Sequence, residues 1–275
     1  MKIKIHKLMK TKLNFIIPAL AIIILATSFS GCSLFSRRFE KTYTKEASVN
    51  AAGKQKIIFE NVTGDVKIHQ SEDVNSILVK AKTTVHLTKN ELENEIEWVK
   101  LILDTTGNEV VISVDVIRER KRIFGIGFND EHNRTSADIY VPKGILVDIS
   151  LTNGDITAKE ISNDVKFEVT NGDIDIGDYY GKSEINIVNG KLNCSLDSTK
   201  GMRAEIVNGS VNLSIGDFFS AKFNLETING KIKIDKELPF KEISDEKNLK
   251  KGTIGNSDNE VKIDITNGKI NLRKK

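Results

Sequence analysis

Proline is nearly absent, with three in 275 residues. Because proline cannot donate to a β-ladder and is confined to edges and bulges, its scarcity leaves long uninterrupted ladders open. Cysteine is equally rare at two, Cys32 and Cys194, which excludes a disulfide-stapled scaffold. The four histidines, His6, His69, His86 and His132, are scattered without zinc-type spacing to a cysteine or to each other. A large excess of either charge is also missing. Five of the 41 lysines and arginines lie in 1–31, which holds no acid. The remainder carries 36 bases against 38 acids, a net charge of −2, so nothing in the charge balance favours nucleic acid as a partner.

Only one apolar run is long, residues 15–26, and it is short for a membrane span. Lys2, Lys4, Lys7, Lys10 and Lys12 precede it, the layout of an export signal over 1–31. Phe29, Ser30, Gly31 and Cys32 then resemble a bacterial lipobox, in which small residues precede a cysteine that is lipidated and becomes the new N-terminus. Phe29 departs from the usual aliphatic residue. The expectation is a lipid anchor at Cys32 facing outside the cytoplasm, followed by a tether over 32–45 in which Arg37 and Arg38 are solvated.

What the chain has in quantity is an Asn-Gly pair returning six times, at Asn153-Gly154, Asn171-Gly172, Asn189-Gly190, Asn208-Gly209, Asn229-Gly230 and Asn267-Gly268. Successive glycines lie 18, 18, 19, 21 and 38 residues apart, the signature of a repeat architecture. Around each pair apolar and polar residues alternate with period 2, as in strands with one buried face. The phase breaks at the pair: Phe167 and Val169 are in step with Asn171, and Ile174 and Ile176 are not. A bend falls there, where glycine reaches positive φ cheaply.

Two folds fit. Each pair can be the turn of a β-hairpin, with Val169 facing Ile174, Ile187 facing Leu192 and Ile206 facing Val211. Alternatively each pair is a corner of a β-solenoid with rungs of about 18–21 residues, like residues stack roughly 4.8 Å apart, and the asparagines form an amide ladder. A hairpin array has no reason to hold the period or to repeat Asn-Gly at every turn, whereas stacking requires both, so the solenoid is favoured over 136–275.

The region 46–135 reads as β structure with one short helix. Thr63-Gly64 is a degenerate copy of the repeat, 90 residues or five periods of 18 before Gly154. Thr88 and Glu91 have capping-box spacing, and Leu92, Ile96 and Val99 share a face, predicting a helix over about 88–100 with Trp98 packed on the sheet. Residues 101–116 read as a hairpin around Thr106-Gly107-Asn108. The polar stretch 118–134, with Gly125 and Gly127 around Ile126, reads as a protruding loop suited to partner contact. A charged stretch, 236–257, interrupts the final rungs, and Arg273, Lys274 and Lys275 read as charges protecting a terminal edge.

The run Ala137-Asp138-Ile139-Tyr140-Val141-Pro142-Lys143-Gly144, followed by 147–156, resembles a bacterial family of candidate adhesins, domain of unknown function 4097. The same beat recurs at 165–176, 185–192 and 204–213, and Asn61-Val62-Thr63-Gly64-Asp65-Val66 matches its N-terminal form. The resemblance spans about 55–272. It implies a right-handed β-helix-like fold and an envelope location, and it carries no catalytic or binding residues to transfer.

No catalytic set emerges from the residues themselves. Cys194 is in phase with Leu192 and Leu196, as a core thiol would be. The acids following successive pairs, Asp155 and Asp173, together with Asp175, form a weak candidate calcium site or a candidate acid stripe for glycan chemistry. The expectation is therefore a lipid-anchored envelope protein presenting a rigid, non-catalytic surface, with no cofactor and with an envelope protein or glycan as partner. The alternatives are a carbohydrate-active β-helix enzyme and an envelope-stress accessory protein.

Overall fold

The computed structural model describes residues 38–93, 96–116, 122–123, 126–127 and 133–275. The export segment, Cys32, Arg37 and most of the 118–134 stretch lie outside the described residues, although Arg122–Ile123 (β7) and Ile126–Gly127 (β8) pair antiparallel within it.

The repeat folds into bent rungs, each with two arms. In the sequential part these are β10 (Leu146–Asn153) with β11 (Ile156–Lys159), and β12 (Val165–Asn171) with β13 (Ile174–Gly177). In β14 (Ser183–Leu196), β15 (Met202–Ile215), β16 (Ala221–Ile234) and β19 (Glu260–Lys274) both arms are one continuous strand. Every one of these rungs pairs in parallel with its neighbours, and Asn153, Asn171, Asn189, Asn208, Asn267 and Asn229 stand in register in that spatial order. The hairpin alternative is thereby excluded: Val169 pairs with Leu151 and Ile187, not with Ile174.

The stack is not in sequence order at either end. β2 (Lys56–Thr63) and β3 (Val66–Gln70) form the rung directly beside β10 and β11, with Thr63 opposite Asn153. The interval of 90 residues is thus one rung, not five. The intervening chain goes outward to build the next rung from β6 (Glu109–Val116) and β9 (Arg134–Val141), then returns. Antiparallel strands cover that end: β5 (Val99–Asp104) on β6, β4 (Ser76–Leu87) on β9, and β1 (Phe39–Asn50) on β4. At the other end β19 lies between β15 and β16, so Gly268 follows Gly209 in space. The stretch expected as an interruption is a hairpin, β17 (Lys241–Glu246) and β18 (Leu249–Ile254), laid antiparallel on the first arm of β16.

Three N-terminal expectations change accordingly. The tether ends at Phe39 because alternating Tyr43, Ala47 and Val49 complete the edge beside β4. The boundary at 135/136 falls inside β9, and 38–275 form one compact unit. The helix is a single turn, α1 (Lys89–Glu93), since Val99 is claimed by β5. Its capping box is present: the Thr88 backbone N–H donates to Glu91 Oε2 at 2.7 Å and Glu91 N–H to Thr88 Oγ1 at 3.4 Å. Trp98 packs with Val85, Leu87 and Val99 in a small satellite core.

The interior is built from columns of like position. One runs Phe59, Ile149, Phe167, Ile185, Ala204, Ile263, Leu225. Cys194 lies in another, between Ile176 and Leu213. It is 3% exposed, and burial pushes its thiol well above the ordinary range. With Cys32 replaced by serine, the native chain should therefore not react with a disulfide reagent in the minutes an exposed thiol needs. Titration of one thiol per chain before denaturant is added would contradict the column.

Candidate binding surface

Each corner is assembled from three residues. The glycine comes first. Gly154, Gly172, Gly190, Gly209 and Gly268 have φ between 148° and 157°, and an added Cβ at each would overlap the carbonyl oxygen of the corner glycine in the rung before. The tight corner and the close stacking therefore demand the same residue.

The asparagine forms a ladder. Asn171 Nδ2 donates to Asn153 Oδ1 at 3.0 Å, Asn189 to Asn171 at 2.9 Å, Asn208 to Asn189 at 2.9 Å, Asn267 to Asn208 at 2.9 Å and Asn229 to Asn267 at 3.0 Å. A side-chain amide can donate and accept along one line, so it suits stacking in both directions, which a carboxylate does not.

The residue after glycine is the third member. Asp65 Oδ1 accepts the Asp155 backbone N–H at 3.2 Å, Asp155 Oδ1 that of Asp173 at 2.8 Å, and Asp173 Oδ1 that of Lys191 at 2.8 Å. Asp155 and Asp173 thus each commit one oxygen to the neighbouring rung. Asp175 lies on the second arm and accepts from Asn193 Nδ2 at 2.8 Å. Among the described residues no group of three histidine, cysteine or acidic side chains is placed to hold a metal ion, and Asp155, Asp173 and Asp175 each engage an oxygen with the neighbouring rung instead. Their geometry is that of caps between rungs.

A second ladder was not anticipated. Asn212 Nδ2 donates to Asn193 Oδ1 and Asn271 Nδ2 to Asn212 Oδ1, both at 2.9 Å, with Asp175 as the terminal acceptor. Its signal was present, an asparagine four residues after Asn189, Asn208 and Asn267. Also unanticipated is the outer face of the first arms, where cations and acids pair along β12, β15 and β19: Lys166 with Glu168 at 2.9 Å, Arg203 with Glu205 at 2.7 Å, Lys262 with Asp264 at 3.4 Å. The C-terminal cations protect no edge, because β19 is internal. Lys275 Nζ bridges Asp178 at 2.8 Å and Asp197 at 2.9 Å, and that hydrogen bond holds the Asp178 carboxyl below its usual range.

These features define an all-β repeat protein whose rungs are locked in register and whose outward columns are regular and mostly polar, with Val188, Val207 and Ile228 exposed beside the corner asparagines. Residues 146–273 match the model of the Toastrack DUF4097 family. No curated protein matches the sequence. Among solved structures it is similar to a candidate cell adhesion protein from Clostridium sporogenes ATCC 15579, at 16% identity over 86% of this chain and 100% of that one, with a TM-score of 0.43. It is also similar to a candidate adhesin from Bacteroides fragilis NCTC 9343, at 13% identity over 84% and 97%, with a TM-score of 0.33. No helix among the described residues is long and apolar enough to cross a membrane.

Proposed function

We propose that this chain is a cell-envelope lipoprotein, anchored through acyl chains on Cys32, that presents a right-handed β-solenoid as a rigid, non-catalytic binding or adhesion surface. The observation that carries the reading is the unbroken asparagine ladder from Asn153 to Asn229. It fixes the spacing of every outward column before any partner arrives, so little ordering entropy is lost on contact. The layout of 1–32 supports the anchor. β1 begins at Phe39, seven residues after Cys32 in the chain. An enzyme acting through Asp155 and Asp173 is less well supported, because each holds its oxygen against a neighbouring backbone amide.

The test is metabolic labelling with a radioactive fatty acid in cells making the natural chain or Cys32→Ser, followed by fractionation. The natural chain should be labelled and sediment with membranes, and the variant should be neither. A natural chain that stays unlabelled and is recovered in the soluble fraction would overturn the anchor.

A further inference from the structure

The outer face of the second arms changes charge along the stack. In the rungs of β3, β11 and β13 the outward positions include Asp65, Asp155, Asp173 and Asp175. In the rungs of β14, β15, β19 and β16 the column after glycine reads Lys191, Ser210, Lys269, Lys231. Lys233 and Arg273 extend the same face, with the Asn193, Asn212, Asn271 ladder as its floor. Lys191 Nζ is 4.0 Å from Asp173, and Arg273 Nε donates to Ser214 Oγ at 2.9 Å. Lys231, Lys233 and Lys269 are exposed and make no ion pair among the described residues.

Two facts point to an anionic occupant. Lys231 stands directly opposite Lys269 across one strand pair, an arrangement that costs stability unless a counter-charge relieves it. This concentration of cations also belongs to a chain whose part beyond residue 31 is net negative. The shape of the occupant follows from the register. The cations lie along one line, spaced by multiples of the strand separation of about 4.8 Å, which is close to the rise of one sugar in an extended chain. A continuous floor of hydrogen-bonded amides suits an extended polymer lying across the rungs.

We propose that this face binds a linear anionic polysaccharide running along the stack, with Lys191, Lys269 and Lys231 meeting successive charges. The inference rests on the surface reading above and names its ligand class.

The test measures binding of the full chain in detergent to dextran sulfate, to neutral dextran and to phosphatidylglycerol vesicles, between about 50 and 200 mM salt. Dextran sulfate should bind and neutral dextran should not. The triple variant Lys191→Gln, Lys231→Gln, Lys269→Gln should bind at least tenfold more weakly, with the salt slope reduced by about three. It should melt no lower than the natural chain, since it relieves a like-charge pair. Lys166→Gln with Arg203→Gln, on the first-arm face, should leave binding unchanged. Failure of the natural chain to bind dextran sulfate, equal binding by the triple variant, or tighter binding to vesicles than to the polymer would each overturn the proposal. If fatty-acid labelling at Cys32 succeeds while dextran sulfate binding fails, the envelope reading stands and this inference alone falls.

Discussion

Gly190→Ala is expected to destabilise the chain by about 4 kcal/mol or more, enough to lower the melting temperature by roughly 10 °C or to abolish folding. Two penalties coincide there. The residue has φ of 156°, where a side chain is strained by about 1–3 kcal/mol. Its Cβ would also overlap the Gly172 carbonyl oxygen, which is backbone inside a stacked corner and cannot rotate away. Relieving the overlap means separating two rungs, which lengthens the neighbouring amide contact from Asn189 to Asn171 and the parallel ladder beside it. Gly209→Ala should behave alike, since its Cβ meets Gly190 in the same way. Gly144→Ala is the matched control. Its φ of 86° imposes strain, yet nothing lies within 4 Å of the added Cβ. It should therefore cost only the backbone penalty, about 1–3 kcal/mol. Thermal melts of the three variants decide the matter. Equal losses at Gly144 and Gly190 would mean that the corner glycines serve only their own turns and that the stacking contact carries no weight.

This contrast explains why the corner was legible in the sequence and the order of the rungs was not. Period-2 alternation with a phase break at a fixed dipeptide specifies strands, a bend and a spacing, and the invariance of Asn-Gly points beyond local turn chemistry to a neighbour above and below. The asparagine ladder could be expected on those grounds, and the Asn193, Asn212 and Asn271 ladder could have been, by asking which other polar residue recurs at fixed distance from the glycine. Rung order is different. Every rung shows its neighbours the same template, so β15 offers an equally good edge to β16 and to β19, and periodicity is blind to the choice. The same degeneracy made the 90-residue interval before Gly154 look like five rungs, when the chain doubles back over β2 and β3. The helix failed for a related reason: Leu92, Ile96 and Val99 have helical spacing, but the edge of β6 supplies Val99 with a longer-range partner, and tertiary pairing outweighs a marginal local propensity. Leu92 and Ile96 remain exposed.

The other large effect lies in β19. A chain ending at Asn259 should fail to reach the native stack, because the missing strand is paired along both edges by β15 and β16. Val261, Ile263, Ile265, Ile270 and Leu272 are each at most 3% exposed. At about 1.5–3 kcal/mol for each buried aliphatic side chain, their loss is comparable to the whole stability of a domain, about 5–15 kcal/mol. The truncated chain has one recourse, which is for β16 to close directly on β15, since the templates match. That closure joins Asn229 to Asn208 but leaves β18 and its hairpin to move with β16, and it gives up the hydrogen bond from the Asp235 backbone N–H to the Leu272 carbonyl at 2.9 Å. Adding a synthetic peptide of residues 258–275 to the truncated chain separates the possibilities. If the gap between β15 and β16 persists, the peptide should bind and restore the melting transition, and hydrogen exchange should slow in β15 and β16 together. If the gap closes, the peptide should find no edge and the short chain should melt cooperatively at a lower temperature. A truncated chain with unchanged melting temperature would show that the inserted strand adds nothing to the stack, against the burial of its five aliphatic side chains.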